Sequence, residues 1–179
     1  MIIFNRSRLY KYYNKIMSST KTETQNRIFN VMKEISQAFI DAGLSGVCLY
    51  ASALLKEKLD MEGISMILVP GYLQTNRGSG ELFRHVWLEL DDNIYDVSLD
   101  ILKKISWKSQ KVSFKHHKNL PLHLSRTDLN NNVLEYGISL YQTNPYNFWS
   151  EFDHSTMTEI HKHIAPVINK LRDSFLGLD

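Results

Sequence analysis

The segment from Leu82 to Leu90 limits the choice of fold more than any other part of the chain. Its apolar side chains alternate with a second set that carries polar groups: Val86, Leu88 and Leu90 against His85, Trp87 and Glu89. The turn formers Asp91-Asp92-Asn93 follow, and residues 94–99 are predicted to return as a second strand. Because successive side chains of a strand point to opposite faces, this hairpin has one core face and one polar face.

The polar face of the hairpin is expected to carry groups that can perform acid–base chemistry. An even-length loop keeps the parity of the two strands, so His85 is expected to share its face with Asp96, Ser98 and Asp100. Aspartate is disfavoured inside strands, which indicates that Asp96 has a specific partner. The sequence therefore predicts a histidine beside a carboxylate, with Asp100 as the alternative to Asp96.

Helical periodicity on both sides of the hairpin indicates an α+β fold. Apolar residues recur at helical spacing over residues 23–42, and Gly43 can end that helix in a left-handed conformation. A second helix is predicted from about Val47, and a last one over residues 156–175. The apolar run at residues 64–69 is typical of a strand. We therefore expect helices packed on an antiparallel sheet.

The second helix begins near the single cysteine of the chain. With Ser45 or Gly46 as N-cap, Cys48 lies in the first turn, where unpaired backbone N–H groups and the helix dipole favour a thiolate. A cysteine at a helix start, followed by a histidine and an aspartate on one hairpin, is the layout of a thiol nucleophile, its base and the orienter of that base. The alternative is a buried structural cysteine.

Composition and charge argue against several classes of function. The net charge of +2 gives no reason to expect binding to nucleic acid, a membrane surface or a polyanion. No segment reaches the ~18 apolar residues of a membrane span, and the N-terminus lacks the pattern of a secretory signal. A lone cysteine rules out an intrachain disulfide and fits a reducing, cytoplasmic compartment. The oligomeric state is left open.

The 179 residues are enough for one domain with a real core. Residues 1–21 are predicted as an N-terminal arm or linker, and residues 22–179 as a single catalytic domain. Within the first segment, residues 1–17 are expected to be a flexible arm or a surface helix, and residues 18–22 read as linker and helix cap. Residues 74–81 are predicted as a loop that either gates a cleft or only connects two strands. Residues 133–141 are predicted as one more strand.

Two closely spaced histidine pairs raise the question of a metal site: His116-His117 and His161-x-His163. Side chains one or two positions apart do not face the same way on a helix, and no carboxylate cluster accompanies either pair. The sequence analysis therefore predicts no metal site. The basic segment 103–118 is expected to be a solvated face, with contact to a substrate or an acidic partner as the second interpretation.

The motifs between residues 43 and 100 resemble the transglutaminase-like branch of the papain-like cysteine protease superfamily. The matching pieces are Gly46-Val47-Cys48 at the start of a leucine-rich helix, the Gly63 turn into a strand, His85-Val86-Trp87-Leu88-Glu89 and Tyr95-Asp96-Val97-Ser98. Small microbial transglutaminase-like proteins, arylamine acetyltransferases and the leader peptidases of lasso-peptide pathways share this Cys, His, Asp order.

The resemblance implies thiol-dependent acyl transfer. Cys48 would be the nucleophile, His85 the base, Asp96 the orienter with Asp100 as the alternative, and Trp87 a wall of the site. The oxyanion hole would use the Cys48 backbone N–H and a second donor that the sequence does not identify. A cysteine peptidase or amidase that acts on a peptide-like or amide substrate, without a cofactor, is expected. The alternatives are transfer to an amine and a catalytically silent binding module on the same fold.

Overall fold

The computed structural model describes residues 6–76, 82–106, 113–118, 137, 139–145, 147–149 and 159–178. In chain order these residues form α1 (Arg6–Asp41), α2 (Cys48–Met61), β1 (Ile67–Thr75), β2 (Leu82–Leu90), β3 (Asn93–Tyr95), α3 (Val97–Ile105), β4 (Phe114–His117) and α4 (Glu159–Leu176). Residues 139–143 and 147–149 are also helical. Within the described ranges, the helices are too short or too polar to cross a membrane.

The four strands form an antiparallel sheet in the order β3-β2-β1-β4. Its register makes neighbours of residues that are distant in the sequence. His85 of β2 lies opposite Gly71 of β1, and His116 of β4 lies opposite Leu73 of β1. The predicted combination of helices with an antiparallel sheet is confirmed, and β2 has the predicted bounds.

The core contains the apolar residues that the sequence patterns predict. The stripe of α1 and the apolar half of the β2 alternation are buried together, through Ile28, Val31, Ile35, Phe39, Val86 and Leu88. Helix α2 is held on its other side by Arg172 of α4, whose Nε and Nη2 atoms each lie 3.1 Å from a carboxylate oxygen of Glu57. The Tyr141 hydroxyl also donates to the carbonyl of Ala53 in α2, at 3.2 Å. These contacts fix α2 in the domain.

The predicted return strand at residues 94–99 is wrong beyond Tyr95. Strand β3 ends there, and α3 begins at Val97 with Asp96 as its N-cap. The Asp96 Oδ1 atom accepts a hydrogen bond from the Ser98 backbone N–H at 3.1 Å, which satisfies a donor that the helix leaves unpaired. Val97 and Ile101 are both buried, at helical spacing. Capping and this apolar face outweigh the alternation that resembled a strand.

Residues 6–17 are helical, which is one of the two predictions for this part of the chain, whereas residues 18–22 differ from the predicted linker and cap. Helix α1 begins at Arg6 and runs without interruption through residues 18–22, so that segment is helical and is not a linker. Gly43 follows α1 with a φ of +68°, as predicted for its C-terminal end. Helix α2 has Val47 at its N-cap and no side-chain cap, so the predicted capping by Ser45 is wrong. The domain boundary at residue 22 stays a prediction.

Strand β1 differs from the predicted segment 64–69 at both ends, because it begins at Ile67 and continues through Pro70 and Gly71 to Thr75. Pro70 lies opposite Val86 of β2, and the pairing of β1 with β4 covers only Tyr72–Thr75. Among the described residues, β1 has a neighbour on one side only at Pro70, and a sheet tolerates proline at such a position. The predicted strand at residues 133–141 is wrong for residues 139–141, which are helical. Most of the predicted loop 74–81 lies outside the described residues.

Candidate active site

Helix α2 carries the thiol and is fixed directly on β2. Cys48 is the first residue of α2 and is half-buried. One helical turn later, the Ser52 hydroxyl donates to the carbonyl of Val86 at 3.1 Å. Pro70 lies opposite Val86 in β1 and has no backbone N–H to donate, so the hydroxyl gives this carbonyl a donor. The contact lies one turn from Cys48 and one residue from His85, and it sets their relative position.

His85 connects the thiol to a carboxylate. Its side chain is only 2% exposed, and its Nε2 atom lies 2.7 Å from Oδ2 of Asp96. Cys48 lies close enough to His85 to raise the pKa of the imidazole through hydrogen bonding and its electrostatic effect. Because Asp96 engages Nε2, the other ring nitrogen, Nδ1, is the one available to the thiol. The structure thus brings the three predicted residues together in the order thiol, imidazole, carboxylate.

Asp96 is buried, and both of its carboxylate oxygens accept hydrogen bonds. Oδ1 accepts from the Ser98 backbone N–H at 3.1 Å and from the Ser98 hydroxyl at 2.8 Å. Oδ2 lies 2.7 Å from Nε2 of His85 and 2.7 Å from Nε2 of His116. The Ser98 hydroxyl also lies 3.1 Å from His85 Nε2. The N-cap of α3 and the orienter of the imidazole are therefore the same side chain.

Burial and charge act in opposite directions on the two buried partners. Burial lowers the pKa of His85, but its hydrogen bonds with Asp96 and Cys48 and the electrostatic effect of both side chains raise it to about 10. Burial likewise disfavours the ionised form of Asp96, yet hydrogen bonds from His116, His85 and Ser98 hold the pKa of that carboxyl well below its usual range. The pair is therefore an imidazolium and a carboxylate at neutral pH.

His116 is a member of this cluster that the sequence analysis does not predict. It lies in a basic segment without a motif, and only the pairing of β4 with β1 brings it to the face that carries His85. Its ring packs against Trp87, with centroids 4.9 Å apart in an edge-to-face arrangement. Its neighbour His117 has a different partner, since His117 Nε2 lies 2.8 Å from Oε1 of Gln74.

Trp87 forms a wall beside both histidines. Its side chain is fully buried, and its ring stacks on His85 with centroids 6.3 Å apart. The indole Nε1 donates to Glu89 at 2.9 Å, and Glu89 is also paired with Lys118, so the indole N–H is not directed at a substrate oxyanion. A Cβ at Gly71 would overlap the benzene ring of this indole. The absence of a side chain at Gly71 therefore leaves room for the Trp87 ring.

The remaining predicted residue is Asp100, the alternative orienter. It is exposed in the first turn of α3, while Asp96 makes the contact with His85. The sequence analysis predicts no metal site, yet His85, Asp96 and His116 place three ligand atoms within 4.8 Å of one another. The 2.7 Å separations from each imidazole nitrogen to the shared carboxylate oxygen are lengths of charge-assisted hydrogen bonds.

Comparison of the chain with protein-family models, with curated proteins and with solved structures found no match.

Proposed function

We propose that this protein is a cysteine hydrolase that cleaves an amide or ester through a thioester on Cys48. The observation that carries the proposal is the chain of contacts from a half-buried thiol through His85 to Asp96. Catalytic sites often contain a titratable pair with strongly perturbed pKa values. Such a pair contacts a nucleophile that solvent can reach. A buried structural cysteine would need neither partner.

In the first half of the proposed reaction, Cys48 Sγ attacks the carbonyl carbon of the substrate while its proton is held on His85. Backbone N–H groups at the start of α2, including that of Cys48, stabilise the oxyanion. The bond from the carbonyl carbon to the leaving group then breaks, and the leaving amine or alcohol takes the proton from His85. The product is a thioester on Cys48.

In the second half, water attacks the thioester carbonyl and gives a proton to His85. The bond between carbon and Cys48 Sγ breaks, and the acid product leaves. Asp96 stays ionised throughout and keeps the imidazole oriented, with Nε2 toward the carboxylate and Nδ1 toward the thiol. No step of this scheme uses a cofactor.

The same residues support two finer proposals. The order and contacts of Cys48, His85 and Asp96 favour membership of the transglutaminase-like branch of the papain-like superfamily, with peptide-like amides as substrates. A thiol that must stay free to react requires a reducing compartment, for which we propose the cytoplasm. Binding to nucleic acid or to a membrane is not part of the proposal.

The test uses the full chain, iodoacetamide and a panel of fluorogenic peptide amides and esters. We expect fast alkylation of Cys48 near neutral pH, and release of the fluorophore that Cys48→Ala and His85→Ala abolish without loss of fold. Asp100→Asn is the matched control, because this acid is exposed and lies in the same helix as the Asp96 cap. It should change neither measurement.

A second arm separates water from an amine as acceptor. With an added primary amine, mass spectrometry of the products distinguishes hydrolysis from transfer by the same thioester. If folded wild-type protein is alkylated only at the rate of an ordinary cysteine and hydrolyses none of the panel, the proposed hydrolase is refuted. A catalytically silent binding module would then be the better description.

A further inference from the structure

We propose that His116 is a positioning residue, which holds the Asp96 carboxylate in place for His85 by donating to the same oxygen from a second strand. The inference deepens the proposed function and rests on it for its catalytic meaning. His116 does not touch the thiol or the substrate in this assignment. It acts through Asp96.

The geometry of the carboxylate carries the argument. A carboxylate offers about four acceptor positions, and in Asp96 these are occupied by Ser98 N–H, Ser98 Oγ–H and the Nε2 atoms of His85 and His116. The two Ser98 bonds hold Oδ1 at the start of α3, and the two imidazoles hold Oδ2. With only His85 on Oδ2, rotation of the carboxylate about its last bond would be resisted by the two Ser98 bonds and the His85 bond alone. The His116 bond opposes that rotation.

His116 is itself held firmly enough to serve as a fixed donor. It lies on a sheet strand, its side chain is 12% exposed, and the ring packs edge-to-face on the buried Trp87. The titratable groups around Asp96 come from separate elements: His85 from β2, His116 from β4, and Cys48 of α2 through its contact with His85. Glu89 and Lys118 form an ion pair beside Trp87 and His116.

A proton between His116 and Asp96 accounts for their separation better than a metal ion does. Each imidazole nitrogen is 2.7 Å from Oδ2, which is the length of a charge-assisted N–H···O bond. Ligands of a tetrahedral zinc ion at ~2.0–2.1 Å lie roughly 3.3 Å apart, so a metal would require both 2.7 Å separations to lengthen. The hydrogen bond from His116 is also the first of the contacts that lower the pKa of Asp96.

The experiment compares His116→Phe, His116→Gln and His117→Phe with wild type, in the full chain. Phenylalanine keeps a ring against Trp87 and removes the donor, whereas glutamine can restore an N–H donor. His117→Phe is the control on the adjacent residue, which pairs with Gln74. The measurements are the carbon-13 NMR titration of the Asp96 carboxyl, assigned with Asp96→Asn, and the rate of Cys48 alkylation by iodoacetamide at pH 6.

In His116→Phe we expect the titration midpoint of Asp96 to rise by about one pH unit or more, because a bond to the ionised form is lost. Alkylation of Cys48 at pH 6 should slow about tenfold, the usual scale for a residue that supports an active-site group. His116→Gln should recover most of both effects. His117→Phe should leave both at their wild-type values.

Three results would overturn the inference. The first is an unchanged Asp96 titration in folded His116→Phe, and the second is a changed titration with unchanged alkylation at every pH. The third is stoichiometric binding of Zn²⁺ at neutral pH that His116→Phe abolishes, because His116 would then be a metal ligand. If His116→Phe does not fold, nitrogen-15 NMR of wild type decides, since an unprotonated His116 Nε2 contradicts the donor role. Slow alkylation of the wild type refutes the proposed hydrolase. The Asp96 titration then still tests whether His116 donates to Asp96.

Discussion

Replacing Asp96 with asparagine removes one acceptor from a carboxyl group whose two oxygens are both in use. Asparagine can keep the helix cap, with its carbonyl oxygen accepting from Ser98. Its NH₂ group then takes the place of Oδ2, which in wild type accepts from the Nε2 atoms of His85 and His116. A donor therefore replaces an acceptor at both contacts. The variant should therefore retain α3 but lose the orientation of His85. Turnover of any substrate should fall about 10³–10⁴-fold, as for a triad aspartate, and leave residual activity.

The pKa of His85 gives the size of the effect on the resting protein. It rises from an ordinary value of 6.5 to about 10, and at ~1.4 kcal/mol per pH unit this corresponds to roughly 5 kcal/mol in favour of the imidazolium. Asp96 and Cys48 share that stabilisation. Without the carboxylate, burial dominates, so we expect the pKa of His85 to fall by at least about two pH units. The free energy of unfolding at pH 7 should fall by about 3–5 kcal/mol.

The pH dependence follows from the direction of that shift. Because the folded pKa of His85 lies above its unfolded value, its contribution is fully present below pH 6.5 and is lost as the pH rises through about 10. Wild type should lose stability to urea over this window, and Asp96→Asn should lose much less. Nitrogen-15 NMR of His85 measures the pKa directly, with Asp100→Asn as control. A pKa of His85 in Asp96→Asn that equals the wild-type value would falsify this account of the pair.

Three further predictions concern the supports of the site. Cys48→Ala should lower the pKa of His85, because the thiol hydrogen bond and charge help to raise it; an unchanged NMR titration contradicts the contact. Ser52→Ala removes the hydroxyl donor to the β2 carbonyl and should cost about 1–3 kcal/mol in urea unfolding, whereas no loss would mean that this hydrogen bond does not help to fix α2 on β2. Gly71→Ala forces a Cβ into the Trp87 indole and should cost about 3 kcal/mol; a thermal unfolding curve like that of wild type would exclude the overlap.

The elements that sequence predicts well are those in which local pattern and tertiary burial agree. The alternation in β2 fixes both its bounds and the face of His85, since one set of side chains enters the core and the other does not. The start of α2 is placed within one residue, which puts Cys48 in the first turn. Asp96 is assigned to the site through a return strand, yet it reaches His85 as a helix cap.

That difference has a physical cause. Residues 94–99 fit both an alternating strand and the entrance of a short amphipathic helix, and only burial of Ile101 one turn after Val97 decides for the helix. His116 is a residue that the sequence alone could not place. No local signal marks it, because its place depends on which residues of β4 pair with β1, and strand register between distant segments is set by the assembled sheet.

The double use of Asp96 links the chemistry of the site to the melting of one helical turn. If the first turn of α3 frays, the carboxylate loses the Ser98 donors on Oδ1, and the imidazole loses the partner that fixes it. Fraying of helix ends costs less free energy than opening the whole domain. Heat inactivation should then occur some degrees below the cooperative unfolding of the sheet. The backbone amide of Ser98 can report this event, since its hydrogen exchanges with solvent when the cap opens, and opening of the cap also disrupts the site.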